Sequence, residues 1–241
     1  MAESGRVEKA GRRRQLVFVA VTIEPGRLIA SGRAADIHDQ GDGTVLRRYR
    51  TDHDVATEAR VMNWLAEEGL PLPRVHHAGG GRDMVMDHVV GPTILEDLGR
   101  KPWLIGAHAH TMTQLQSRLN AITAPDWFPR REDVTPGDRV LHLDFHPMNI
   151  ILGPDGPVII DWTNAARGAA DFDAAMSFVA MSTFEVDGVV DQVGRRILVE
   201  VFQRTRGVPA IRSQLPAAAA MRLKDPGVTD GERDAIAKLL E

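Results

Sequence analysis

The residues best suited to chemistry fall in one stretch, Leu141-His142-Leu143-Asp144-Phe145-His146-Pro147-Met148-Asn149, continued by Ile150 through Asp161. Within it, Gly153-Pro154-Asp155-Gly156-Pro157 reads as a three-residue hairpin loop. Proline and aspartate suit a type I turn, and Gly156 suits the left-handed bulge position. With Gly153 facing Pro157, counting back along both strands sets Asn149 opposite Asp161. Directly opposed residues hold their Cβ atoms ~4.5–5.5 Å apart on one face. An amide and a carboxylate would then converge at the open end of the hairpin, one loop away from Asp144. Oxygen donors of this kind suit Mg²⁺, which takes a few protein oxygens and shares substrate phosphates. A different chemistry is also open. Alternation along a strand puts His142, Asp144 and His146 on one side, and histidine with carboxylate is a sensible ligand set for a metal hydrolase. That arrangement leaves Asn149, Asp161 and Glu58 without a role.

Glu58 stands out by its position. It follows Val55 by three residues and precedes Met62 by four, on the apolar face of a helix read from Asp54 to Glu68. A carboxylate on such a face is costly unless it is paired. Around this helix the pattern is one of short strands and turns. Gln40-Gly41-Asp42-Gly43 joins a strand at Ala35–Asp39 to one at Thr44–Tyr49, and Gly79-Gly80-Gly81 precedes the strand Met84–Met86. After Gly91-Pro92 the character changes to a long helix from about Trp103 to Ile122 and a proline-containing loop at Ala124–Gly137. Two strands about the Gly153–Gly156 turn and alanine-rich helices complete the chain. The reading is α+β: a small antiparallel sheet with one helix, then a larger, mainly helical part.

The 241 residues are 43% apolar and 26% charged, ordinary values for a folded chain, with no cysteine and a net charge of −4. These numbers exclude a disulfide scaffold and a thiol nucleophile, and they argue against a general nucleic-acid binder. Arg12-Arg13-Arg14 ahead of the apolar run Leu16–Ile23 has the look of an export signal. The run is far short of the ~20 residues of a membrane span and ends at Glu24-Pro25 without a small-residue cleavage site. The expectation is a cytoplasmic protein with no membrane partner.

His142-x-Asp144-x-x-x-x-Asn149, a short hairpin and Ile159-Ile160-Asp161-Trp162 together resemble the catalytic core of the aminoglycoside phosphotransferase and choline kinase family, small-molecule kinases with a protein-kinase-like fold. His146-Pro147, and tryptophan after Asp161, are similar to the aminoglycoside branch. The resemblance implies a two-lobed fold: a flexible basic tail at residues 1–14, a nucleotide-binding lobe at 15–87, and a catalytic and acceptor-binding lobe at 88–241. It further implies Asp144 as base or orienter of the acceptor hydroxyl, His142 as support of the loop, and Asn149 and Asp161 as holders of Mg²⁺ on ATP or GTP. Arg47 aligns where the family commonly has lysine and would pair with Glu58 and touch phosphate. Ser31-Gly32 falls at the phosphate loop, though with one glycine in Ser31–Ala35, and Asp87 to Val89 at the purine-binding hinge. Asp173 matches an aspartate that follows the metal site, while Ala169-Ala170 departs from the family's Asp-Pro.

The expected activity is transfer of a γ-phosphoryl group to a hydroxyl of a small molecule: an aminoglycoside-like antibiotic, a sugar or an amino alcohol. The arginine at position 47 and the glycine-poor loop keep open a nucleotide-binding pseudokinase. The acceptor region offers Glu185, Asp187 and Asp191, answered by Arg195, Arg196, Arg204 and Arg206, a mixture that does not announce a polycation pocket.

Overall fold

The computed structural model describes residues 23–79, 81–185 and 188–241. The expected basic tail, nearly all of the apolar run Leu16–Ile23, Gly80 and Asp187 lie outside the described residues. The first half of the fold is a five-stranded antiparallel sheet of β1 (Arg27–Ser31), β2 (Ala35–Asp39), β3 (Thr44–Tyr49), β4 (Val75–Gly79) and β5 (Asp83–Asp87), ordered β1-β2-β3-β5-β4. The turn between β2 and β3 uses Gly41 and Gly43 at positive φ, and the Asp42 carboxylate accepts from both the amide and the hydroxyl of Thr44. Helix α1 (Val55–Glu67) packs on β4 and β5. Asp54 caps it by accepting from the Thr57 amide at 3.0 Å, and Val55, Ala59, Met62 and Leu65 form its buried face, with Glu58 among them.

The chain leaves the sheet through Gly91, where any Cβ would run into the carbonyl oxygen of Leu152. A glycine therefore lets the connector lie against β7 (Ile150–Gly153), where Pro92 accepts a hydrogen bond from the Leu152 amide at 2.8 Å. Helix α2 (Ile94–Arg100) follows, which hydrophobic periodicity did not reveal. Its signature is the capping box of Thr93 and Glu96, each closing a hydrogen bond on the other's backbone. A 3₁₀ turn at Pro102–Leu104 leads into α3 (Ile105–Ala121), slightly shorter than expected because proline and the turn occupy its first residues.

Strands β6 (Arg139–Leu141) and β9 (Ala166–Gly168) pair with each other and bracket the hairpin of β7 with β8 (Gly156–Ile159). Helices α4 (Ala170–Thr183), α5 (Val189–Arg206), α6 (Val208–Arg222) and α7 (Asp230–Leu239) finish the fold. Helix α4 is buried nearly all round, with Phe172, Ala174, Ala175 and Val179 in the core and α5, α6, α7 and β6 packed against it. This explains why its sequence is apolar without a clear stripe. Among the described residues no helix is long and apolar enough to cross a membrane.

Candidate active site

The hairpin register differs by one residue from the sequence reading. Gly153 pairs with Gly156 and Ile150 with Ile159, so the loop is the two residues Pro154-Asp155. Gly156 takes its positive φ of 126° inside the ladder rather than in a bulge, which shortens the loop and shifts every pair. Asn149 therefore faces Ile160, whose amide donates to the Asn149 carbonyl at 3.0 Å. Asn149 and Asp161 still reach one site, by another route. Asn149 ends a 3₁₀ turn at Pro147–Asn149, Asp161 follows β8 with φ 64°, and both line a single cavity together with Asp144.

Asp144 sits one residue beyond Leu143, which has φ 66°. A left-handed conformation at a non-glycine residue costs on the order of 1–3 kcal/mol and persists only where the surroundings impose it. Here the buried Asp173 imposes it. One carboxylate oxygen accepts from the amides of His142 at 3.0 Å and Leu143 at 2.7 Å, while the other accepts from the side chains of Gln116 and Asn120, both at 3.0 Å. The Asn149 amide reaches back to Asp144, donating to its carbonyl at 2.9 Å and its carboxylate at 3.1 Å.

His142 is fully buried, and both ring nitrogens are occupied. Its Nε2–H donates to the Ile160 carbonyl at 3.0 Å, and Nδ1 accepts from the Asp144 amide at 3.3 Å. Burial lowers its pKa, in keeping with a neutral ring. A histidine spent in this way cannot ligate a metal, which removes the His142–Asp144–His146 hydrolase. The ring instead packs against Trp162 and Phe145 and braces the loop.

The Asp144 carboxyl is pushed up by burial, but the hydrogen bond and charge of His146, 3.3 Å away, outweigh that, with Arg222 adding to the effect. The net result is a pKa lowered to about 2. Partial burial likewise pushes the Asp161 carboxyl up, and Arg47 overrides it, so Asp161 also stays below the ordinary range.

Behind Asp161 lies a network centred on Arg47. Its guanidinium bridges Asp161 at 2.8 Å and the buried Glu58 at 3.3 Å, the partner that the helix pattern required. Burial disfavours the charge on Arg47, but the two carboxylates more than restore it. The Tyr49 hydroxyl and His53 Nε2 complete the shell around Glu58, and Thr163 donates to Asp161 at 2.8 Å. Sequence reasoning missed Tyr49, His53 and Thr163. Tyr49 was findable, since it lies two residues past Arg47 and so shares its face of β3.

The other expected nucleotide residues are less committed to the cavity. Ser31 donates to Asp36 at 2.6 Å and accepts from Arg50, and the Gly32 amide closes a turn onto Ala35. Their neighbour Arg33 instead lines the cavity and donates to the carbonyl of Gly227 at 2.8 Å. At the hinge, the amides of Asp87 and His88 donate to Arg74 and Gly43. The Val89 amide has no acceptor among the described residues. Glu185 accepts from Thr229 at 2.9 Å and is not part of the cavity wall, whereas Asp191 is.

A model of the phosphotransferase enzyme family matches residues 92–208. No curated protein matches the chain in sequence. Among solved structures, aminoglycoside phosphotransferase APH(4)-Ia superposes with a TM-score of 0.60 at 16% identity, covering 88% of this chain and 88% of that one. A choline/ethanolamine kinase family protein from Mesorhizobium loti gives 0.59 at 14% identity, covering 88% and 86%. The gentamicin complex of APH(2")-IIa gives 0.58 at 14%, covering 89% and 90%. The resemblance carried by the His142–Trp162 stretch thus holds in sequence and in fold: residues 92–208 match the phosphotransferase enzyme family, and the chain has the kinase-like fold of the aminoglycoside phosphotransferases and the choline/ethanolamine kinase group.

Proposed function

We propose that this chain is an ATP- or GTP-dependent O-phosphotransferase that moves a γ-phosphoryl group to an alcohol oxygen of a small molecule, acting in the cytoplasm. The observation that carries the reading is the convergence of Asp144, Asn149 and Asp161 on one cavity wall, with the Arg47–Glu58 pair directly behind. In-line transfer asks the protein for position and charge rather than covalent chemistry. Asp144 orients the acceptor hydroxyl and takes its proton as the new P–O bond forms and the bond to the departing nucleoside diphosphate breaks. Its low pKa makes it a weak base, so the proton moves late and orientation is its larger contribution.

The residues present fit Mg²⁺. One Asp161 oxygen is held by Arg47 and Thr163, which leaves the other, and the Asn149 side chain donates through its nitrogen, which leaves its oxygen. No cluster of three or more His, Cys, Asp or Glu suited to a metal occurs among the described residues. That suits an ion shared with nucleotide phosphates rather than caged by protein. Such an ion, bound by Asn149 and Asp161, would neutralise phosphate charge. Arg47 would supply a fixed cation beside Asp161, and the Val89 amide is the hinge donor available to a purine.

Thermal unfolding with Mg²⁺ and ATP or GTP tests this. Near 100 times Kd, linkage adds ~2.7 kcal/mol. For a chain of this length the midpoint rises by roughly 5–10 °C. Asp161→Ala should abolish the rise. Asp144→Asn should keep it while cutting transfer by about 10²–10⁴. A rise with no transfer to any hydroxyl would favour the pseudokinase, and no rise at millimolar nucleotide would sink the reading.

A further inference from the structure

The cavity that holds Asp144 extends well past it, to about 1180 Å³, between α2, α4, α5 and the segment that follows α6. Much of this extension is apolar. Met148, Phe184, Val193 and Ile197 line it while 41–47% exposed, and Leu95 and Met181 lie in the same wall. Four large apolar side chains left this open to water around one cavity point to a ligand that covers them.

The charges along the wall point away from a polycation. Five cations line it: Arg33, Arg131, Arg195, Arg222 and Lys224. Arg131 and Lys224 share Asp133, and Arg222 pairs with Asp225 and Glu232. Among the described residues, Arg33 and Arg195 donate only to the carbonyls of Gly227 and Phe184, which leaves their charge unneutralised. The lining carboxylates are Asp144, Asp161, Asp191 and Asp225, and three are engaged: Asp161 by Arg47 at 2.8 Å, Asp225 by Arg222 at 3.0 Å and Asp144 by His146 at 3.3 Å. Only Asp191 has no ion pair among the described residues. A ligand with several ammonium groups needs a carboxylate for each, and meets cations here instead.

We infer that the acceptor is a neutral or anionic hydroxylated molecule with an extended apolar body, seated between α4 and α5 so that its hydroxyl meets Asp144. This rests on the phosphotransferase reading only for the fate of the hydroxyl; the apolar seat is a binding claim of its own. Methyl, butyl, hexyl and octyl β-glucosides, kept below micelle-forming concentrations, present one set of neutral hydroxyls on a growing apolar tail. Calorimetric titration of the full chain should show tighter binding along the series. The gain is up to about fourfold per buried methylene and at least about tenfold from methyl to octyl. Ile197→Glu, on an exposed helical position that tolerates glutamate, should flatten the series and leave the nucleotide-induced thermal rise unchanged. Kanamycin, as the polycation, should bind more weakly than octyl glucoside.

No gain with tail length, a gain that survives Ile197→Glu, or tighter binding of kanamycin would each overturn the inference. A length-dependent gain without any nucleotide-induced rise would leave the apolar seat standing and remove the transferase.

Discussion

The acid–base behaviour of Asp144 follows from its neighbours rather than from its residue type. Because its folded pKa is depressed to about 2, its ionisation contributes stability that is full above the unfolded carboxylate value and is lost as pH falls through the folded one. Between about pH 5 and 8 neither stability nor turnover should therefore respond to this group. A pH–rate profile checks this, and His146→Ala should move the acid limb upward, toward the ordinary carboxylate range. A wild-type limb that already stands at the ordinary carboxylate value would refute the assignment. Glu58 was legible from its helical face and Asp144, Asn149 and Asp161 from their spacing in one stretch, whereas Arg47 came only through the family resemblance. His142 was read as support of the loop, but the partner of its ring was not legible. Whether a ring nitrogen meets Ile160 or open space depends on how the chain leaves β8, eighteen residues later.

At the level of elements, the loop before Asp144 is bent by force. Leu143 lies in left-handed space because Asp173, at the start of α4, gathers the amides of His142 and Leu143 on one oxygen. Asp173→Ala would strand those two buried amides and take one acceptor each from the Gln116 and Asn120 side chains. The expected loss is about 3 kcal/mol or more in chemical denaturation, and lower transfer under conditions where the variant remains folded. A loss under about 1 kcal/mol would mean the loop holds its shape unaided. The strands β2 and β3 and helix α1 were readable because their turns and caps are local. The hairpin register was not: Pro-Asp-Gly supports a two-residue or a three-residue loop, and the choice is made by pairing in the ladder. Helix α2 was missed for a related reason, since its seven residues are too short to show a period and only its capping box announces it.

Across the molecule, the described cavity wall is drawn from residues 95–226, and of the earlier residues Arg33, in the turn before β2, joins it. Arg33 donates to the carbonyl of Gly227, next to the lining Pro226. Because this bond is exposed, Arg33→Ala should change the unfolding midpoint by less than about 2 °C. Losing one wall contact should nevertheless weaken octyl glucoside binding about threefold or more, as calorimetry would show. Unchanged affinity would make the bridge incidental.

That bridge joins residues 194 apart in the chain. Contacts of such separation form late, since the intervening chain must first be ordered. During synthesis, then, a nascent chain that has not yet exposed Gly227 can already hold the Asp144 loop on Asp173 while its cavity still lacks one side. A chain stalled before Met221 would therefore hold its carboxylates on the Asp144 loop while lacking both the cavity wall from Met221 to Pro226 and the Arg33 bridge.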